Sequence, residues 1–213
     1  NEKIKEVTCG DIPIIIGADK NLKYRNIGAF RNLGNRTVNK DIIICMDDDD
    51  FYFPSYVSTV VEAFEKDNSI ELTGCSGMFM YDFGLDTVFR LREFGPHHTV
   101  NCCMAYRKRY ILHNKYDETV RVGEERSFLR NYDSKMYQLP AMSALVHMSY
   151  GDNTFNGKRI NMFKNIISSI MNDNMETIYK VINTPLSKLI KDDTIFNTYM
   201  DLFYKINDHK ETD

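Results

Sequence analysis

Up to about residue 158 the apolar positions fall in short dense runs between polar turns; from Ile160 onward they recur at helical spacing. The densest run is residues 42–46 (IIICM), five apolar residues with no polar break. Without alternation, such a run predicts a strand buried on both faces. Residues 12–16 (IPIII), closed by Gly17, predict a second short buried strand. Residues 1–11 are polar and read as a loop or an edge segment. Between the two runs, Gly28, Ala29, Phe30, Leu33 and Val38 line one face of a helix. Pro54 suits the first position of another helix, with Tyr56, Val57, Val60, Val61 and Phe64 at helical spacing as far as Lys66.

Further along, residues 70–81 read as a strand or strand pair in which Gly74 and Gly77 mark a bulge or a close backbone approach. Residues 83–94 read as another strand and its turn, broken by Gly95 and Pro96, and residues 100–106 as a buried strand of small side chains. Residues 122–126 open a helix with Phe128, Leu129 and Tyr132 on its inner side, and residues 144–146 form a strand that delivers His147 at its end. In the last stretch, Met162, Phe163, Ile166, Ile167, Ile170 and Met171 begin a helical tail. Residues 177–181, 186–190 and 195–206 continue it, with Pro185 starting a new helix. The tail carries no chemistry of its own and either packs on the sheet or makes a homodimer contact.

Composition narrows the classes. At 213 residues the chain suits one sizeable domain, or a domain with an appendage. A net charge of −3 gives no reason to expect nucleic acid as a partner, and no apolar run reaches the 18 or so residues of a membrane span. Five cysteines (Cys9, Cys45, Cys75, Cys102, Cys103), two of them adjacent, fit reduced thiols in a soluble intracellular protein better than a disulfide framework.

Chemistry concentrates after the isoleucine run, where Asp47, Asp48, Asp49 and Asp50 follow one another. Adjacent carboxylates disfavour one another's ionisation unless a cation relieves them. At the carboxyl end of a buried strand, where open α/β sheets hold ligands, they ask for a divalent metal. The plainer alternative is an acidic turn capping the next helix. An EF-hand is excluded, because the sixth and twelfth positions counted from Asp47 are Tyr52 and Ser58, where glycine and glutamate are needed. His97 and His98 near Cys102 and Cys103 match no recurrent zinc spacing. Arg31 and Asn32 precede the acidic run by about a dozen residues, placing a guanidinium where it could meet a phosphate oxygen. Glu124 and Glu125, after Gly123, either cap a helix or expose a carboxylate to a cleft. His147, at a strand end like the aspartates, is either a structural histidine or a share in the same metal.

The succession FRNLG, DIIICMDDDDFYFP, NCCMAYRKRYI, VGEERSFL and VHMSYGDNT resembles family-2-like glycosyltransferases of the GT-A fold, from about residue 27 to 153. That resemblance implies an α/β, Rossmann-like three-layer sandwich with a mixed, mostly parallel sheet. With the change of pattern near Ile160, it divides the chain into a catalytic domain over residues 1–158 and a C-terminal helical extension over 159–213. It also implies that Asp47 and Asp49, with Asp48 or Asp50 as substitutes, hold Mn²⁺ or Mg²⁺ on the donor diphosphate, with His147 as a further metal contact. Arg31, Asn32, Asp47, Asp48 and Asn153 would bind the nucleotide sugar, and Glu125 with Glu124 would stand where the family keeps its acceptor-side base. Glu-Glu in place of the usual Glu-Asp is a departure that leaves the base open. Within the group, the four aspartates and the Asn-, Ile- and Lys-rich composition most resemble the collagen glucosyltransferases of large DNA viruses. This implies UDP-glucose as donor, galactosyl-hydroxylysine of a collagen-like protein as acceptor, and the host cytoplasm or the virion as location. The family's usual opening strand and nucleobase loop have no counterpart before Ile12, so an upstream segment lies outside this chain or the base is read differently. A sugar-nucleotide nucleotidyltransferase and a catalytically silent GT-A interaction domain are the alternatives.

Overall fold

The computed structural model describes residues 3–9, 12–18, 26–150 and 179–208. Of the two readings of the polar start, loop or edge segment, the second holds: β1 (Lys3–Cys9) and β2 (Ile12–Ala18) pair antiparallel as a two-stranded hairpin. Helix α1 (Ile27–Thr37) follows, then β3 (Ile42–Ile44), β4 (Phe51–Tyr52) and α2 (Tyr56–Lys66). Next come β5 (Leu72–Gly74), β6 (Phe79–Asp82), β7 (Thr87–Leu91), a 3₁₀ turn at Asn101–Cys103 and β8 (Ala105–Arg107). A single-turn α3 (Glu125–Phe128), β9 (Tyr137–Gln138), β10 (Leu145–Ser149), β11 (Tyr179–Val181), α4 (Leu186–Leu189) and α5 (Asp193–Asp208) complete the described chain.

Besides the hairpin there are two sheets, one in the order β11-β7-β6-β10-β4 and one in the order β3-β8-β5-β9. Both are mixed, which together with the flanking helices makes an α/β fold of GT-A type. The parallel pairs are β10–β6 and β5–β9, and the remaining described pairings are antiparallel. Antiparallel pairing therefore outweighs the mostly parallel sheet expected.

The isoleucine strand is shorter and less buried than its run of apolar residues predicts. Among the described strands β3 pairs only with β8, so Ile42, Ile43 and Ile44 are each half-buried at a sheet edge. One bond continues the pairing beyond the strand, from the Cys45 amide to the Met104 carbonyl at 2.9 Å. Where the sequence predicts a strand at 100–106, the small residues instead make the 3₁₀ turn, and β8 begins only at Ala105. Helix α2 starts at Tyr56, two residues past Pro54.

Helix α1 buries only part of the face its apolar residues suggest. Gly28, Ala29, Asn32 and Asn35 point inward, while Phe30 is 37% exposed. Two asparagines can be buried because their amides are used. Asn32 donates to the Tyr116 carbonyl and to Glu118 Oε1, both at 2.9 Å, and accepts the Tyr116 amide at 3.0 Å. The Tyr106 hydroxyl donates to Asn35 Oδ1 at 2.7 Å. Gly28 permits the approach: a Cβ there would lie 2.1 Å from the Asp117 carbonyl oxygen. Gly74 does the same against Thr99, whose Cβ would be 2.4 Å away.

The tail is not wholly helical. Residues 177–181 were expected in a helix, yet Tyr179–Val181 is a strand against β7. The helix expected over 162–171, like Asn153, lies outside the described residues. Helices α4 and α5 do form, and Leu186, Leu189, Ile190 and Phe203 join the main apolar core with Phe51, Phe79, Phe89 and Leu145. The tail thus packs on the sheet. No described helix is long and apolar enough to cross a membrane.

Candidate active site

The acidic run is the crossover between the two sheets, leaving edge strand β3 and entering edge strand β4. Register does the rest. Strand β4 pairs antiparallel with β10, Phe51 opposite Val146 and Tyr52 opposite Leu145. One step back along the same register, Asp50 falls opposite His147, and the two side chains meet: Asp50 Oδ1 lies 2.8 Å from His147 Nδ1. The Met148 amide donates to the same oxygen at 3.0 Å. His147 sits inside β10 rather than at its end, yet it reaches the aspartates as expected.

The four aspartates have unequal surroundings. Asp50 is 4% exposed, and its second oxygen, Oδ2, is buried without a hydrogen-bond partner. Asp47 is half-buried, and burial together with the charges of Asp50 and Asp49 pushes its pKa above the ordinary 3.8, against the pull of Arg31 and His147. Asp49 accepts a 2.9 Å hydrogen bond from the Tyr150 hydroxyl, and Asp48 is exposed. Burial works against a charge on His147, but its hydrogen bond to Asp50 and the charges of Asp50, Asp49 and Asp47 outweigh it, so its pKa rises above 6.5.

Two further tyrosine hydroxyls hold the turn. The Tyr52 hydroxyl accepts the Asp47 amide and donates to the Cys102 carbonyl, both at 2.8 Å. The Tyr199 hydroxyl on α5 donates to the Asp50 carbonyl at 2.7 Å. The tail that was expected to carry no chemistry is therefore bonded to the acidic turn.

A divalent ion fits this donor set. An unpaired carboxylate oxygen in a dry site is costly, and a cation removes the cost. Asp47, Asp50 and Cys102 each offer a donor atom, all within 4.8 Å of one another. Among the described residues this grouping has Cys102 in place of Asp49 and His147 of the Asp47, Asp49, Asp50 and His147 set expected; His147 Nδ1 meets Asp50, and Asp49 accepts from Tyr150.

On the other flank, Arg31 is ion-paired with Glu124, with side chains 17% and 6% exposed. The guanidinium also lies 5.6 Å from the centre of the Tyr116 ring. Arg31 and Glu124 were expected on the donor and on the acceptor side; the structure joins them. Arg31 remains close enough to favour the charged forms of both Asp47 and Glu125. Asn32 faces inward and ties α1 to residues 116–118, so every strong hydrogen bond it makes is internal. Glu125 opens α3 half-buried, and burial raises its pKa above 4.5, assisted by the charge of Glu124.

Residues 20–112 match the family model described as Glycosyl transferase family 2. Over that stretch the chain is similar to family-2 glycosyltransferases, and the match indicates glycosyltransferase activity. The matched stretch holds Arg31, the four aspartates and Cys102, while Glu124, Glu125 and His147 lie beyond it. No curated protein matches the chain.

Sequence reasoning missed Tyr52, Tyr150 and Tyr199, and weighed Cys102 only as a zinc partner of His97 and His98. Only Tyr52 left a local signal, a hydroxyl five residues past Asp47. Tyr199 is 149 residues from Asp50, a separation no motif spans.

The four cysteines whose side chains are described, Cys45, Cys75, Cys102 and Cys103, are free thiols. Burial pushes the Cys75 thiol up to about 12, and the Cys45 thiol also rises. His98 is no metal partner to Cys102 among the described residues. It stacks between Phe94 and Tyr132, with ring centres 4.8 and 5.0 Å away.

Proposed function

We propose that this chain is a metal-dependent glycosyltransferase and moves a hexose from a nucleotide sugar, UDP-glucose in the first instance, to a hydroxyl acceptor. The carrying observation is the buried, unpaired Asp50 oxygen beside Asp47 in the crossover between the sheets. Asp47 and Asp50 would hold Mn²⁺ or Mg²⁺, with Asp49 and His147 adjacent and Asp48 toward solvent. When bound, the ion supplies Lewis-acid neutralisation of charge on the departing diphosphate. Arg31 lends positive potential on the same side, and its pairing with Glu124 fixes the guanidinium before substrate arrives, which is the preorganisation that electrostatic catalysis needs. Glu125 takes the proton from the attacking acceptor hydroxyl. Its raised pKa brings the carboxylate closer to the neutral range in which a general base works best. With Glu125 as base, the anomeric configuration inverts.

The narrower acceptor, galactosyl-hydroxylysine of a collagen-like protein, rests on the sequence resemblance alone. An α-glucosyl product there requires retention, with Glu125 binding the acceptor instead of deprotonating it. Hydrolysis of a panel of UDP- and GDP-sugars, with and without Mn²⁺, tests the general reading. One donor should turn over only with metal. Turnover unaffected by a chelator, or nucleotide transfer to a sugar phosphate, would overturn it.

A further inference from the structure

Cys102 is held against the acidic turn by a built set of contacts. Its carbonyl receives the Tyr52 hydroxyl, the same hydroxyl accepts the Asp47 amide, and the turn it occupies leads to Met104, whose carbonyl takes the Cys45 amide. The side chain is buried, 6% exposed, and its sulfur lies within 4.8 Å of donor atoms of both Asp47 and Asp50. A thiol in so dry a place needs no carboxylates around it, and two carboxylates gain nothing from an apolar sulfur. A cation between them uses all three groups. The independent sign of a missing ligand is Asp50 Oδ2, buried in a side chain fully shielded from solvent and lacking any hydrogen-bond partner.

We infer that Cys102 Sγ joins Asp47 and Asp50 as a ligand to the divalent ion, making a mixed oxygen–sulfur site that favours Zn²⁺ and Co²⁺ over Mg²⁺. This deepens the metal reading above and rests on it. As the sulfur–metal bond forms, the thiol proton passes to solvent, so binding releases a proton. Magnesium prefers oxygen donors and near-ideal octahedral geometry, whereas thiolate ligands raise affinity for the later first-row ions. Three protein ligands leave positions open for oxygens of a diphosphate.

Cobalt titration of the full chain tests this without reference to activity. The expected result is thiolate-to-cobalt charge-transfer absorption in the near ultraviolet that saturates at one ion per chain. It should persist in Cys103→Ala and Cys75→Ala and vanish in Cys102→Ala and in Asp47→Asn. In calorimetry, Cys102→Ala should lower the Zn²⁺-to-Mg²⁺ affinity ratio at least tenfold. Should Cys102→Ala fail to fold, the wild-type spectrum and the Asp47→Asn variant still decide. Cobalt binding by calorimetry with no charge-transfer band would overturn the sulfur ligand while leaving the carboxylate site intact. A band that survives Asp47→Asn would assign it to another thiol and overturn the proposal equally. No binding of Co²⁺, Zn²⁺ or Mn²⁺ at all would sink the metal reading itself.

Discussion

A carboxyl group sealed from water with one oxygen unpaired costs a folded protein about 1–3 kcal/mol unless something arrives to use it. Asp50 is in that position. Folding raises the pKa of both His147 and Asp47, so the metal-free folded state holds protons at this site more tightly than the unfolded chain does. A group with a raised folded pKa contributes stability fully present below its unfolded pKa and lost as pH rises through the folded one. For His147 that window opens at about 6.5 and closes above its raised value; for Asp47 it opens at 3.8. Chemical denaturation of the metal-free protein should therefore show stability declining as pH rises above 6.5, and His147→Gln should flatten that decline. A flat wild-type profile would contradict the His147–Asp50 pairing. Glu125→Gln tests the neighbouring group. It should lower kcat by ~10²–10⁴-fold while donor affinity, read by calorimetry, stays within about twofold. An equal loss of donor binding would move Glu125 to the donor side.

At the scale of elements, one register carries the site. The acidic turn reaches His147 because β4 pairs with β10 at Phe51–Val146, and α5 touches the same place: its Tyr199 caps the Asp50 carbonyl while its ring meets Phe51 edge-on at 6.2 Å. Tyr199→Phe keeps the ring and removes the bond. It should cost about 1 kcal/mol in denaturant unfolding and weaken metal affinity severalfold by loosening the turn. Unchanged metal affinity would show that β4 and β10 hold the turn without the tail. The same elements explain what the sequence made legible. The run 42–46 followed by four aspartates marked the turn, because strand-forming residues and clustered charge are local signals. Edge placement of β3 was hidden, since an apolar run looks the same at the edge and the centre of a sheet. The buried face of α1 was hidden for the opposite reason: Asn32 and Asn35 are polar by type and become interior residues only through partners 71 to 86 positions away. The Arg31–Glu124 pair spans 93 positions and was invisible on the same grounds, although each member had been singled out separately.

For the whole molecule, a ligand that binds the folded chain alone stabilises it by mass action. At a free concentration of one hundred times Kd the gain is about 2.7 kcal/mol, provided the unfolded chain does not bind. The turn that would bind the ion is tied to both sheets and to α5, so the gain is spread over the cooperative unit rather than over a local loop. In a chain of 213 residues each kcal/mol moves the midpoint by ~2–4 °C, which predicts a rise of about 5–10 °C with saturating Mn²⁺. Asp47→Asn should abolish the rise, and exposed Asp48→Asn should keep most of it. The contrast between these two adjacent substitutions separates a built site from a diffuse acidic surface, because a counter-ion cloud would respond equally to either lost charge. Equal losses in thermal unfolding at matched ionic strength would therefore return the acidic run to a solvated turn.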